Sequence, residues 1–168
     1  MRPGIEAPGS AAWEQDVERR LGALERSHVS PAPGEPYYEL QQAIDEDARS
    51  TSYHDLIEAE VPVKSGFSRL SVSVVLLCNG LGGTEGGKLH GAVEVDLGGT
   101  PEEGFGTIVS LGPGQSGLSV ALLDVVATEW PAWPGSFGVT GRFKWDLDPG
   151  PATTVRLDLH VSTVWFPT

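Results

Sequence analysis

From about residue 55 onward, apolar and polar residues alternate with a period of two. The alternating runs cover 56–63, 68–79, 89–97, 105–111, 118–129, 137–147 and 154–166. That spacing puts every second side chain on the same face of a β-strand. Turn-forming residues separate the runs: Ser65-Gly66, the glycine-rich stretch 79–87, Gly98-Gly99-Thr100-Pro101, Gly112-Pro113-Gly114, the loop 130–135 and Asp148-Pro149-Gly150. The last run is the clearest. Val155, Leu157, Leu159, Val161, Thr163 and Trp165 alternate with Arg156, Asp158, His160 and Ser162, until Val164 and Phe166 break the pattern. It predicts a half-buried strand whose last residues are covered on both faces. Seven runs of this length with these turns predict an antiparallel β-sandwich or jelly-roll-like domain over 55–168.

Upstream the period is helical. Val17, Leu21, Leu24 and His28 step by four, three and four, the spacing of the d and a positions of a coiled coil, over a helix expected at 10–28. Arg20 then falls at g and Glu25 at e, where opposite charges on neighbouring helices meet. Ser10 supplies an N-cap, and Pro31, Pro33 and Pro36 end the helix. Two heptads are marginal alone, since isolated helices shorter than ~12–15 residues barely hold in water. The segment is therefore expected to assemble with copies of itself. Pro3 and Pro8 keep residues 1–9 out of the helix and make them a flexible or docking arm. Residues 29–54 read as a Pro-rich linker. The alternative there is a second helix over 35–52, with Tyr37, Leu40 and Ile44 on one face. The expected class is mainly β: a sandwich or jelly roll preceded by a short α-helical coiled-coil segment.

The 168 residues suffice for one domain with an appendage, and 22 Gly with 13 Pro favour turns and strands. A formal charge of −12, with only 11 Lys and Arg, speaks against a nucleic-acid partner, which needs clustered cations. Cys78 is the single cysteine, so no internal disulfide can form. Its place after an apolar run reads as a small buried hydrophobe. No run approaches ~18 consecutive apolar residues, and the first ten residues lack the apolar core of a signal peptide. A soluble chain without a membrane partner is expected.

The candidate chemistry is thin. The stretch 80–88, GLGGTEGGK, lacks the spacing of a phosphate-binding loop and reads as a flexible hairpin. Asp146 and Asp148 stand two residues apart before a turn, one ingredient of a calcium loop. Pro149 and Pro151 interrupt that pattern and no Glu closes it, so solvated turn carboxylates are the favoured reading. His28, His54, His90 and His160 have no ligand spacing among them, and no serine sits in a nucleophile elbow. No catalytic residue, cofactor or metal is predicted. Trp130 and Trp133, in EWPAWPG, place two rings on a Pro-rich loop. That arrangement serves core or interface packing, or stacking on a host-surface glycan.

The string AWEQDVERRLGALE at 12–25 resembles the short helical opener of many minor tail proteins of phages that infect actinobacteria. It covers under a tenth of the chain. The resemblance implies a non-enzymatic virion structural protein, made in the host cytoplasm and assembled as a homotrimer at the tail. Other virion proteins would be met through the N-terminal arm and helix. A capsid decoration or head-fibre protein, and a host-glycan-binding module, are the alternatives.

Overall fold

A computed structural model describes residues 34–63, 67–128 and 135–167. Nine strands follow in order: β1 (Gly34–Asp45), β2 (His54–Pro62), β3 (Phe67–Leu81), β4 (Gly87–Asp96), β5 (Glu102–Phe105), β6 (Val109–Leu111), β7 (Ser116–Ala127), β8 (Ser136–Trp145) and β9 (Thr154–Pro167). They form a four-stranded sheet in the order β1-β9-β3-β7 and a five-stranded sheet in the order β2-β8-β4-β5, with β6 also on β4. Every pairing is antiparallel.

The run 105–111, expected as one strand, is an edge strand interrupted at 106–108. β5 pairs with the far half of β4 and β6 with its start, and Gly106 N–H donates to the Gly91 carbonyl at 2.8 Å between them. Thr107 N–H turns instead to the Val120 carbonyl of β7 at 3.2 Å. The buried Ser119 hydroxyl fixes the crossing. It accepts from Gly91 N–H at 3.1 Å and donates to the Thr107 carbonyl at 2.5 Å. With β5 and β6 counted as one strand, the pairings β1-β9-β3-β7 and β2-β8-β4-β5/β6 are the winding of an eight-stranded jelly roll.

The stretch expected as a linker or second helix is a correction. β1 pairs with β9 from Tyr37 opposite Thr163 to Asp45 opposite Val155, so the domain includes residues from 34 onward rather than from 55. The same letters carry both periods: Tyr37, Leu40 and Ile44 step by three and four, while Tyr38, Leu40, Gln42 and Ile44 step by two. The strand prevails because β9 is otherwise an edge, with a row of backbone donors and acceptors that a helix would leave unpaired.

The core lies between the inner faces. Leu70, Val72, Val74, Leu76 and Cys78 of β3 and Val155, Leu157, Leu159 and Val161 of β9 meet Val93, Val139, Phe143 and Trp145 from the other sheet, all buried. Each such aliphatic side chain contributes about 1.5–3 kcal/mol on burial. Trp145 and Trp165 are fully buried, which places two of the five tryptophans in the core. The alternation read for the last run holds at Arg156, which is exposed, and at His160 and Ser162, which are partly so, whereas Asp158 is buried and pairs with Arg156 at 3.1 Å. Its end differs from expectation. Phe166 keeps a free face, over which the Arg69 guanidinium sits 5.0 Å from the ring centre.

The glycine-rich stretch 79–87 is not a hairpin either, because β3 and β4 belong to different sheets. It is stitched to two other turns. Gly82 N–H donates to the Gln115 carbonyl at 2.8 Å, Thr84 N–H to Pro151 at 3.1 Å and Glu85 N–H to Pro149 at 3.0 Å. A Cβ on Gly83 would lie 2.4 Å from Thr153 Oγ1 and 2.5 Å from the carbonyls of Gly150 and Pro151. Glycine is used there for close approach of backbone to backbone.

Candidate functional site

The oligomerisation residues expected from sequence, Val17, Arg20, Leu21, Leu24, Glu25 and His28, and the glycan or interface candidates Trp130 and Trp133 lie outside the described residues. Asp146 and Asp148 are within them, and the chain's own donors engage both. Asp146 Oδ1 accepts from the N–H groups of Lys88 and Leu147 at 2.7 and 2.9 Å. Asp148 receives a two-pronged contact from Arg49, Nε at 2.9 Å and Nη2 at 2.6 Å, and also accepts Gly150 N–H at 2.9 Å. The guanidinium bonds, then the Gly150 N–H, pull its pKa down to about 2. No group of three or more metal-ligating side chains occurs among the described residues. His90 and His160 stand on β4 and β9, on strands as expected. Burial first, then the Lys144 ammonium, hold the His90 pKa below its ordinary value. Cys78 is fully buried, and burial lifts its thiol to about 12, so it is a packing residue and not a nucleophile.

The two outer surfaces of the sandwich differ in kind. On the five-stranded sheet the strands present Glu58, Glu60, Glu94, Asp96 and Glu103 with Lys88, Arg142 and Lys144. Arg142 sits at its centre, 2.8 Å from Glu94 and 3.2 Å from each of Asp55 and Glu103. Lys144 reaches over the Tyr53 ring, 4.6 Å from its centre. This face is acid-rich, with Phe105 of β5 its exposed aromatic, 6.1 Å from the Tyr53 ring.

The outer face of the four-stranded sheet carries exposed apolar side chains on β1, β3 and β7 and a polar stripe along β9. Strand register lines its side chains up in rows across all four strands. Leu40, His160, Val75 and Leu122 form the central row. On one side lie Gln42, Asp158, Leu77 and Val120, and beyond them Ile44, Arg156, Asn79 and Leu118. On the other side lie Tyr38, Ser162, Ser73 and Asp124. Leu122 is 65% and Tyr38 62% exposed, and Leu40, Ile44, Leu118 and Val126 are also exposed. Between these rims, Val75 and Leu77 of β3 are half-buried and floor a depression of about 360 Å³ walled by Tyr38, Ser73, His160 and Ser162. Tyr38 Oη lies 2.7 Å from His160 Nδ1 across its rim.

Few charges stand on this face, and their signs balance. Arg156 pairs with Asp158 at 3.1 Å, Asp124 accepts the Ser73 hydroxyl at 2.6 Å, and Arg69 lies over Phe166. The apolar residues of β3 and β7 form one exposed patch and those of β1 another, with the polar side chains of β9 between them; exposed apolar patches set among polar groups mark a contact face. No sequence reading named it. Its signal was the loss of alternation in β3 and β7, where Val74-Val75-Leu76-Leu77 and Leu122-Leu123 supply apolar residues to both faces at once.

No family model matches the chain. No curated protein matches it either. Solved structures similar to it include three from viruses. That of turnip yellow mosaic virus aligns with 80% of this chain and 83% of its own, at 10% identity and a TM-score of 0.28. That of Desmodium yellow mottle tymovirus aligns with 99% of this chain and 96% of its own, at 8% identity and a TM-score of 0.28. That of the infectious bursal disease virus Gx strain aligns with 81% of this chain and 42% of its own, at 13% identity and a TM-score of 0.31. The strand pairing, independent of these neighbours, gives the architecture.

Proposed function

We propose that this chain is a non-enzymatic structural protein of a bacteriophage particle, a homo-oligomer that displays its jelly roll on the virion. The phage setting rests on the resemblance of residues 12–25, and the observation that carries the assembly is the contrast between the two outer surfaces. One is acid-rich and, among the described residues, exposes a single large apolar side chain on its strands, Phe105; the other exposes Tyr38, Leu40, Ile44, Leu118, Leu122 and Val126 on a chain of net charge −12. Exposing that much aliphatic surface costs solubility, and it is explained when the surface is covered in an assembly. The jelly roll suits the role because its winding leaves two broad sheet faces and short connecting loops.

The finer placement rests on the resemblance of residues 12–25 to minor tail proteins. On that reading Val17, Leu21, Leu24 and His28 join three chains, Arg20 and Glu25 set their register, and the arm docks the oligomer on neighbouring virion proteins. Capsid decoration is the variant in which the same plan faces the head. Sedimentation equilibrium of the full-length chain at micromolar concentration tests the assembly claim. An oligomer is expected, and a monomer would contradict it.

A further inference from the structure

Resting on that reading of the apolar surface as a contact face, we propose that what covers it is a second copy of this chain, with the four-stranded sheets of the two copies packed outer face to outer face. Charge is the first reason. Two molecules of net charge −12 repel, and an acid-rich surface cannot approach its equal closely. The strands of the four-stranded sheet instead present two arginines, Arg69 and Arg156, and two aspartates, Asp124 and Asp158, on their outer side, a net charge of zero. Three of these four are already held within the face by Ser73 and by the Arg156–Asp158 pair. A like face therefore adds no close-range charge repulsion at the contact, and the acidic charge on the rest of each copy is screened beyond about 8 Å at physiological salt. A strongly basic partner would be drawn to the five-stranded sheet, and an acidic one finds no excess of cations on either.

Shape is the second reason. The exposed side chains of the outer strands, Tyr38 and Leu40 on β1 and Leu122 on β7, flank the lower floor made by Val75 and Leu77 on β3. One raised rim can enter the trough of a twofold-related copy that is shifted sideways, while the copy's equivalent rim enters the first trough, which makes the face self-complementary. Sheet faces stack about 10 Å apart when such side chains interdigitate. Among the described residues no other sheet surface offers apolar side chains in this number.

The test uses full-length chains carrying Leu122→Glu or Leu40→Glu, with Glu58→Gln on the opposite surface as control. Circular dichroism establishes that each is folded. Sedimentation equilibrium is expected to show the mass halved for the two face variants and unchanged for the control. A third variant, Leu122→Cys, reads the contact without a charge. Because Cys78 is buried, only the new thiol is open to a maleimide, and it is expected to be protected when assembled and labelled on dilution. An oligomer whose mass withstands both face substitutions, with the introduced thiol labelled throughout, would overturn this inference and leave the proposed function standing on the helical segment. A monomeric wild-type chain would overturn both. A monomer in which the new thiol is protected at every dilution would mean that the chain's own residues 1–33 cover the face, which also contradicts the inference.

Discussion

The indole N–H of Trp145, near the end of β8, donates to the backbone carbonyl of Ala48 at 2.7 Å, with both groups buried. The Trp145 backbone N–H donates to Ser50 at 2.8 Å, so one residue straps down the connection that carries the chain from β1 in one sheet to β2 in the other. Trp145→Phe removes the indole donor, leaves the Ala48 carbonyl without it and opens a small void. Urea unfolding is expected to show a loss of about 2 kcal/mol or more. A loss below about 0.5 kcal/mol would show that the strap is not held this way.

Two glycines make a paired test of the stitching between turns. In Gly83→Ala the new methyl meets Thr153 Oγ1 and two backbone carbonyls at 2.4–2.5 Å, and backbone cannot step aside cheaply. A destabilisation of about 1–3 kcal/mol is expected. Gly138, exposed on β8, has nothing within 4 Å of a built Cβ, so Gly138→Ala is expected to be neutral or slightly stabilising. Equal melting temperatures for the two variants would contradict the close approach at Gly83.

Acid should release the outer tie of the same strap. The Arg49 guanidinium holds the Asp148 pKa at about 2, below its ordinary 3.8. A carboxylate depressed on folding stabilises the folded state at pH values above its unfolded pKa. That contribution is lost as pH falls from 3.8 toward about 2. Asp148→Asn is therefore expected to melt below wild type at neutral pH, by a small margin since both side chains are largely exposed. The gap should close near pH 2. A gap that persists there would assign the effect to something other than the charge.

Cys78 should behave as interior. Its thiol is raised by burial to about 12 and is expected to resist a disulfide reagent in the native chain, and to react once urea unfolds the protein. A thiol whose pKa rises on folding stabilises below the unfolded value of 9.0, and that contribution fades as pH climbs from there toward about 12. Rapid native labelling at neutral pH would contradict the packing of β3 against the facing sheet.

The β-architecture was legible because strands packed on a core repeat with period two, and six of the seven runs became single strands. Winding was not. The glycines at 79–87 look like a tight turn, whereas their use is to let backbone pass close to the Gly150–Pro151 turn. β1 was missed because Tyr37, Leu40 and Ile44 satisfy a helical step while Tyr38, Leu40 and Ile44 satisfy a strand. Only the unpaired edge of β9, a partner distant in sequence, decides between them. The contact face was hidden for a related reason: alternation reveals one buried side, and a strand such as β3, apolar on both sides, reads as simply buried.

The most direct test of a virion role is to probe the particle itself. Antibodies against the β-domain, used with gold label on purified intact phage, are expected to mark particles at one defined location, the tail on the favoured reading and the head if the protein decorates the capsid. Mass spectrometry of the same particles should recover the chain in stoichiometric amount. Unlabelled particles from which the chain is absent, while it accumulates in the infected cell, would contradict the account.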